Sequence, residues 1–445
     1  MSSLQNSETS LAPVRVGIVG IGTVGGGTLK LLTENAAEIE RRLGRALQIT
    51  RLGARRDPKG IDISGYAVER DPMAVARATD VDILVETIGG TTVARELVLL
   101  ALQHGKHVVT ANKALIAEHG EELLAAAAEQ KVSLVFEASV AGGIPIIRAL
   151  REGLAANSID WLAGIINGTS NYILSAMQQE SKAFAPTLKE AQDLGYAEAD
   201  PTFDVEGIDA AHKLCILASC AFGVPLDFQA LSIEGISNIT LEDIQYADEL
   251  GYTIKHLGIA KRTDAGIDLR VHPTLVPKAN LLASVNGVMN SVLVQGNAVG
   301  PTFYTGAGAG SLPTASSVVG DIIEVARGFG ETERNSTPSL GFTELKPQAL
   351  CSAEESTSSF YLRMTLTDEI GALAGITSTL AEFGISVEAM LQKEPRMADG
   401  EALATLIVLT HEVSKGAVDK ALAKIKDMAV VRSDVTVMRM EQFQS

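Results

Sequence analysis

Apolar positions follow three successive rhythms along this 445-residue chain. The first extends from Val14 to about Phe136. Short contiguous apolar runs at 14–19 (VRVGIV), 47–53 (LQITRLG), 82–86 (DILVE), 107–110 (HVVT) and 132–136 (VSLVF) alternate with stretches of helical period. The helical stretches run from the first strand's end to about Leu43, and over 92–104 and 114–130. Unbroken apolar strands are buried on both faces, and their alternation with helices predicts a parallel, doubly wound α/β sheet. The rhythm changes near residue 145. Helices at 145–154, 170–178, 186–194 and 207–222 precede strand-like pieces at 254–262, 267–276 and 291–296, an α+β pattern. A Gly-rich turn then leads into a helix of small residues ending near Arg327. Residues 328–357 have little period and read as a linker. Residues 359–442 return as strand, helix, strand, strand, helix, strand: a complete βαββαβ unit.

The turn after the first strand reads GIGTVG, so Gly20, Gly22 and Gly25 fit G-x-G-x-x-G between a strand and a helix. In that setting the glycines admit a pyrophosphate to the backbone, and the helix N-terminus supplies N–H donors. Thr23 and Val24 would line the loop. Alone the motif is only a flexible turn; its context makes it a dinucleotide site. The second strand ends in GARRDPKG. Arg55 and Arg56 stand where an NAD-specific fold carries a free carboxylate, and guanidinium groups suit a 2′-phosphate. Asp57 directly follows and weakens that reading. NADP is expected, with NAD also accepted. The plain alternative for the two arginines is a solvated loop.

The densest chemistry lies in Leu194–Lys213, LGYAEADPTFDVEGIDAAHK. Glu198, Asp200, Asp204, Glu206 and Asp209 precede a lysine that opens an apolar helix. Asp209 and Lys213 are four apart and share one helix face. A lysine in apolar surroundings with a carboxylate partner can be tuned for proton transfer; the bland reading is a surface ion pair. Asn112 and Lys113 follow the fourth strand's carboxyl end, where open α/β sheets bind ligands. Glu137 ends the next strand before a Gly-Gly-Ile-Pro turn, and a carboxylate with exposed carbonyls can hold a hard cation. The segment GIINGTSNYI (164–173) is a polar turn between apolar pieces and a substrate-facing loop candidate.

Composition narrows the class. A net charge of −17 disfavours nucleic acid and anionic membranes as partners. No window approaches a membrane span, and the polar residues 1–13 read as a disordered tail rather than a signal peptide. Three cysteines, Cys215, Cys220 and Cys351, suit a reducing, cytoplasmic setting and form no zinc pattern.

Taken together, GIGTVGGG, VETIGG, TANKALIA, FEASVAGGIPII, GIINGTSNYIL, LGYAEADPTFDVEGIDAAHKL and GAGAGSLPTASSVVGD resemble homoserine dehydrogenase over about residues 14–330. The C-terminal unit resembles an ACT domain, a small-ligand regulatory module, with DEIGALAGITSTLAEFGISVEAM at its ligand turn. Ser386-Val387 stands where such domains usually carry Asn. With no aspartate kinase segment ahead, the resemblance is to the monofunctional form. It implies reversible NAD(P)H-dependent reduction of L-aspartate 4-semialdehyde to L-homoserine, feeding threonine, methionine and isoleucine biosynthesis. It implies Lys213 as general acid/base, with Asp209 and Lys113 in the catalytic set. Glu198, Asp204 and Asp209 would bind substrate, and Gly310 would lie at the cofactor. Glu137, Val140, Gly142 and Ile144 would hold a monovalent cation such as sodium. L-threonine is the expected effector, at Asp368, Gly371, Ala372 and Leu373. The division expected is a tail (1–13), a Rossmann-type dinucleotide-binding domain (14–145), a catalytic and dimerisation domain (146–327), a linker (328–357) and an ACT domain (358–445). The apolar helices of the second domain suggest a homodimer or homotetramer. Competing readings are a non-enzymatic sensor of NAD(P) and an amino acid, which would need no proton donor, and a different amino-acid dehydrogenase.

Overall fold

The computed structural model describes residues 11–329, 337–398 and 400–443. Most of the expected tail, 1–10, and part of the expected linker, 330–336, lie outside the described residues. The chain divides into two compact units, neither contiguous in sequence. The first takes residues up to 159, then 215–229 and 304–347; the second takes 160–214, 230–303 and 348–445.

The first unit is built on a six-stranded parallel sheet: β1 (Val14–Val19), β2 (Leu47–Gly53), β3 (Ala67–Glu69), β4 (Ile83–Glu86), β5 (His107–Thr110) and β6 (Leu134–Val135). The spatial order β3-β2-β1-β4-β5-β6 is the Rossmann order, with the sequence reversing direction at β1 and β4. Val14, Val16, Ile18, Ile83 and Val85 are buried as the apolar runs require. Arg15 keeps its charge at the sheet's edge by pairing with Asp82 through Nε (3.0 Å) and Nη2 (2.5 Å). The first helical stretch is broken at Asn35 into Thr23–Glu34 and Ala36–Leu43. The helix expected at 145–154 is only Ile146–Arg148, continued by a wide π-turn over Ala149–Gly153.

The second unit is one mixed sheet with helices against it. Its spine is a hairpin, Tyr252–Thr263 against Gly266–Pro277, paired residue for residue over twelve positions. Ile159–Ile165 flanks one side, antiparallel. On the other side lies the C-terminal strand Thr436–Met440, parallel, with Thr274 opposite Arg439. Then follow Thr357–Thr367, Glu401–Thr410 and Val387–Gln392, each antiparallel to its neighbour. Numbered within the tail, the order 4-1-3-2 with helices Ala372–Glu382 and Lys415–Lys426 is a ferredoxin-like arrangement, the βαββαβ unit in folded form.

This tail is not an appendage. Ile173, Leu174, Ile244, Ile254 and Leu275 share one core with Tyr361, Ile407 and Met438. Arg363 reaches Asp243 through Nε (2.5 Å) and Nη2 (3.1 Å), and Glu242 through Nη1 (2.9 Å). Asp243 is fully buried and also closes the capping box of helix Leu241–Glu249 with Thr240. Removing one member of such a pair strands a buried charge, at a cost of roughly 3–5 kcal/mol. The stretch read as a linker is also packed. Ser339 Oγ donates to Leu134 O (2.7 Å) in the first unit, and Ile267 N donates to Ala349 O (2.8 Å) in the second. The helix Ile208–Phe222, one of the apolar helices of the expected second domain, is buried within the chain itself.

Candidate functional site

In the first unit the site begins at the turn after β1. Gly20 has φ +96°, and a Cβ on Gly25 would lie 2.0 Å from Gly20 O, so both positions need glycine. Gly22 caps the helix Thr23–Glu34, placing Thr23 and Val24 in its first turn. A cavity of about 860 Å3 opens there, lined by Ile21, Gly22, Thr23, Gly26, Ser311 and Leu312 among others. Ser311 Oγ donates to Thr23 O (2.8 Å), and the residue before it, Gly310, has φ +124° at the N-terminus of helix Ser311–Arg327. Bare backbone, a helix N-terminus and a roomy cleft fit a dinucleotide pyrophosphate. Arg55 and Arg56 are exposed just beyond β2 and outside that cavity's lining. Asp57, which might have neutralised them, pairs with Arg70 Nη2 (2.6 Å) instead.

Just beyond the end of β5, Lys113 opens helix Lys113–Glu129, half-buried. Asn112 caps that helix, accepting from Leu115 N (3.1 Å) and donating through Nδ2 to Gly90 O (2.7 Å). Beside it sits Glu86, fully buried, accepting from Ile88 N (2.8 Å), Gly89 N (3.1 Å) and Thr110 Oγ1 (2.5 Å). Burial pushes its carboxyl up from the ordinary range, against those hydrogen bonds. Glu86 was visible only as part of VETIGG; the signal to use was a carboxylate ending a central parallel strand.

The cation candidates are all buried: Glu137, Val140, Gly142 and Ile144. The Glu137 carboxylate is already committed, accepting from Ile147 N (2.9 Å) on one oxygen and Arg148 N (2.7 Å) on the other. The Gly142 carbonyl accepts from Ser317 Oγ (2.7 Å). Each Glu137 oxygen thus already accepts one main-chain N–H and keeps a lone pair for a further partner. Among the described residues no group of three or more His, Cys, Asp or Glu could hold a metal ion.

The second unit carries the acid–lysine constellation. Lys213 Nζ donates to Asp209 Oδ2 (2.7 Å) and to Ile166 O (2.7 Å). Their side chains are 12% and 6% exposed, so the helical i,i+4 pair is not a surface ion pair. Asn167 ties the group together. Its Oδ1 caps helix Gly168–Glu180 through Ser170 N (2.7 Å), while Nδ2 donates to both Asp204 Oδ1 (2.7 Å) and Asp209 Oδ2 (2.8 Å). The sequence placed a polar turn here without assigning Asn167; an Asn before a helix is an N-cap signal, but its second task is long-range and has no local signature. Glu198 is exposed, and its carbonyl accepts from Gln192 Nε2 (3.1 Å). A directed ammonium, two carboxylates held on one amide and a free carboxylate nearby in sequence suit a zwitterionic substrate with an oxygen to protonate.

Two family models match the chain: one described as the homoserine dehydrogenase NAD-binding domain, over residues 20–137, and one as homoserine dehydrogenase, over 145–323. A homoserine dehydrogenase of Pseudomonas aeruginosa is 52% identical over 97% of this chain and 100% of its own length. A crystal structure of a homoserine dehydrogenase from Thiobacillus denitrificans superposes with a TM-score of 0.91 at 50% identity, covering 97% of this chain and 98% of that one. A hyperthermophilic archaeal homoserine dehydrogenase, solved in complex with NADPH, gives 0.61 at 27% identity, covering 76% and 100%.

Behind the site, Lys255 is fully buried and donates to Val285 O (2.6 Å), Asn286 Oδ1 (3.0 Å) and Asn171 Oδ1 (3.3 Å). Burial pulls its ammonium from 10.5 down to about 8. Between those values the folded chain binds fewer protons than the unfolded one, so stability rises with pH there, by up to about 3 kcal/mol. Lys255→Met should lack this rise. Denaturant unfolding of both proteins at about pH 8, 9 and 10 checks it; parallel pH profiles would show that Lys255 does not titrate in that window.

Proposed function

The chain belongs to the homoserine dehydrogenase family, and on that premise we propose that it interconverts L-aspartate 4-semialdehyde and L-homoserine with Lys213 as the proton donor. Family membership makes it an NAD(P)-dependent oxidoreductase. The observation that carries the assignment of roles is the Lys213–Asp209–Asn167 group. Bound nicotinamide dinucleotide supplies the hydride. Reduction of an aldehyde leaves negative charge on its oxygen, and a directed ammonium stabilises that charge and delivers the proton. Asp209 and Ile166 O accept from Lys213 and fix its direction. Asn167 fixes Asp209 and aligns Asp204 with it for substrate. Glu198 takes the substrate ammonium, and Lys113 belongs to the proposed catalytic set. A sensor would have no use for a buried lysine held this way.

Lys213→Ala should lower kcat for homoserine oxidation by about 10²- to 10⁴-fold while NADPH affinity stays within a few-fold. Turnover within tenfold of wild type would remove Lys213 from proton transfer.

The cofactor preference proposed is NADP, read by Arg55 and Arg56 from the exposed end of β2. Replacing both with Ala should raise KM for NADPH by roughly 10- to 100-fold, the worth of a charged hydrogen bond, and barely alter KM for NADH. Equal weakening of both cofactors would refute the 2′-phosphate role.

The tail is proposed to be an ACT-type regulatory module binding L-threonine at Asp368–Leu373. There Gly371, at φ +95°, starts helix Ala372–Glu382, and Ile370 stands fully exposed. Threonine should inhibit the wild-type chain and lose at least about fivefold in potency on Asp368→Ala, the lower end of ordinary allosteric coupling. Identical inhibition curves would place the effector elsewhere.

A further inference from the structure

A polar cluster in the second unit lies outside the groups assigned above. Arg270, on the hairpin strand Gly266–Pro277, is 2% exposed and takes two carboxylates, Asp268 and Glu441. Its Nη1 also donates to Ser356 Oγ (2.9 Å), which donates in turn to Asp268 Oδ2 (2.9 Å), and its Nε donates to His272 Nε2 (3.1 Å). Arg439, on the C-terminal strand, is 4% exposed and fares differently. Its Nη1 donates to Ser358 Oγ (3.1 Å) and its guanidinium lies over the Phe360 ring at 5.3 Å. Among the described residues, no carboxylate pairs with it and its buried Nε has no hydrogen-bond partner. The two carboxylates of the cluster both pair directly with Arg270, and Arg439 feels Glu441 and Glu234 only at longer range.

Both arginines line a cavity of about 200 Å3, together with Ser232, Cys351, Ser352 and Ser356. That is room for roughly six waters at about 30 Å3 each, or one molecule the size of a small amino acid. An isolated buried guanidinium without an acceptor is costly, and an oxyanion matches its geometry better than water does. We propose that this cavity binds a small oxyanion, the carboxylate of an amino-acid-sized molecule, which the Arg439 guanidinium meets and whose body contacts the serines. Burial and the neighbouring Arg270 draw the Arg439 guanidinium down to about 10, which a bound anion would reverse. The site shares no residue with the Asp368–Leu373 turn. A ligand here would join the Ser232 segment, the hairpin and the C-terminal strand, the seam at which the tail enters the sheet.

Cys351 reports on the cavity because it is half-exposed, whereas Cys215 and Cys220 are buried. The full-length chain is alkylated with iodoacetamide in the presence of inorganic phosphate, L-threonine, L-aspartate or L-homoserine, each in turn. One of these should slow Cys351 alkylation, by about tenfold at ten times its dissociation constant. Protection by an amino acid supports the carboxylate; protection by phosphate alone overturns the carboxylate and leaves an inorganic oxyanion. Arg439→Met should weaken protection by roughly 10- to 100-fold, and Arg439→Lys should recover part of it. NADPH affinity should stay at the wild-type value in both, and protection should persist in Asp368→Ala. No protection by any probe at its solubility limit, or equal protection of wild type and Arg439→Met, would overturn the site. If Arg439→Met does not fold, the wild-type protection pattern and Arg439→Lys decide the matter.

Discussion

The substrate-binding half depends on fixing the direction of one ammonium inside an apolar helix. Lys213 is 12% exposed on a helix whose other residues are mostly buried apolar ones. Placing an ammonium among such residues is costly unless it is paired and hydrogen-bonded. Asp209 one turn earlier and the Ile166 carbonyl supply those partners, and each needs its own support. Asp209 is itself buried and accepts from Asn167, and Asn167 is fixed because it caps the helix that follows Ile166. The chain of dependence runs from a helix cap to a carboxylate to a proton donor. A shift anywhere along it changes the direction in which the ammonium points.

The same logic of buried charge recurs at three other places, with different outcomes. Arg363 and Asp243 balance one another and bind the tail to the helix Leu241–Glu249. Lys255 has only neutral oxygens as partners and accepts a lowered affinity for its proton. Arg439 has a serine and an aromatic face. Ion pairs fully satisfied by the chain hold structure; a cation met only by neutral groups is where titration or a ligand can still act.

How much of this could be read beforehand varied with the range of the interaction. Five of the six parallel strands and the glycine turn follow from local pattern, since contiguous apolar runs and helical periods are local properties, whereas Ala67–Glu69 is too short to show one. The Asp209–Lys213 contact is also local, set by helical spacing. The tail's βαββαβ sequence was legible, but its merger with the preceding sheet was not, because Thr274 opposite Arg439 is a pairing across 165 residues that no local pattern encodes. For the same reason Asn167, reaching Asp204 and Asp209 some forty residues on, stayed hidden inside a turn motif. Local pattern also could not show that the short helix after the Pro145 turn supplies Glu137 with two N–H groups, one to each carboxylate oxygen. The strand Ile159–Ile165 and the helix Leu241–Glu249 went unread because their apolar residues are interrupted by charged or polar ones.

The place of Thr436–Met440 in the sheet sets an order of events in the life of the chain. This strand lies between Gly266–Pro277 on one side and Thr357–Thr367 on the other, and it is made after both. Until it emerges, the hairpin exposes an open edge, and so does the first strand of the tail. Open edges on a growing chain invite pairing with other chains. The second unit therefore cannot close this part of its sheet until Thr436–Met440 has been made. Its assembly waits on the pairing of strands far apart in sequence, and a nascent chain stalled before residue 436 carries two open strand edges for as long as the stall lasts.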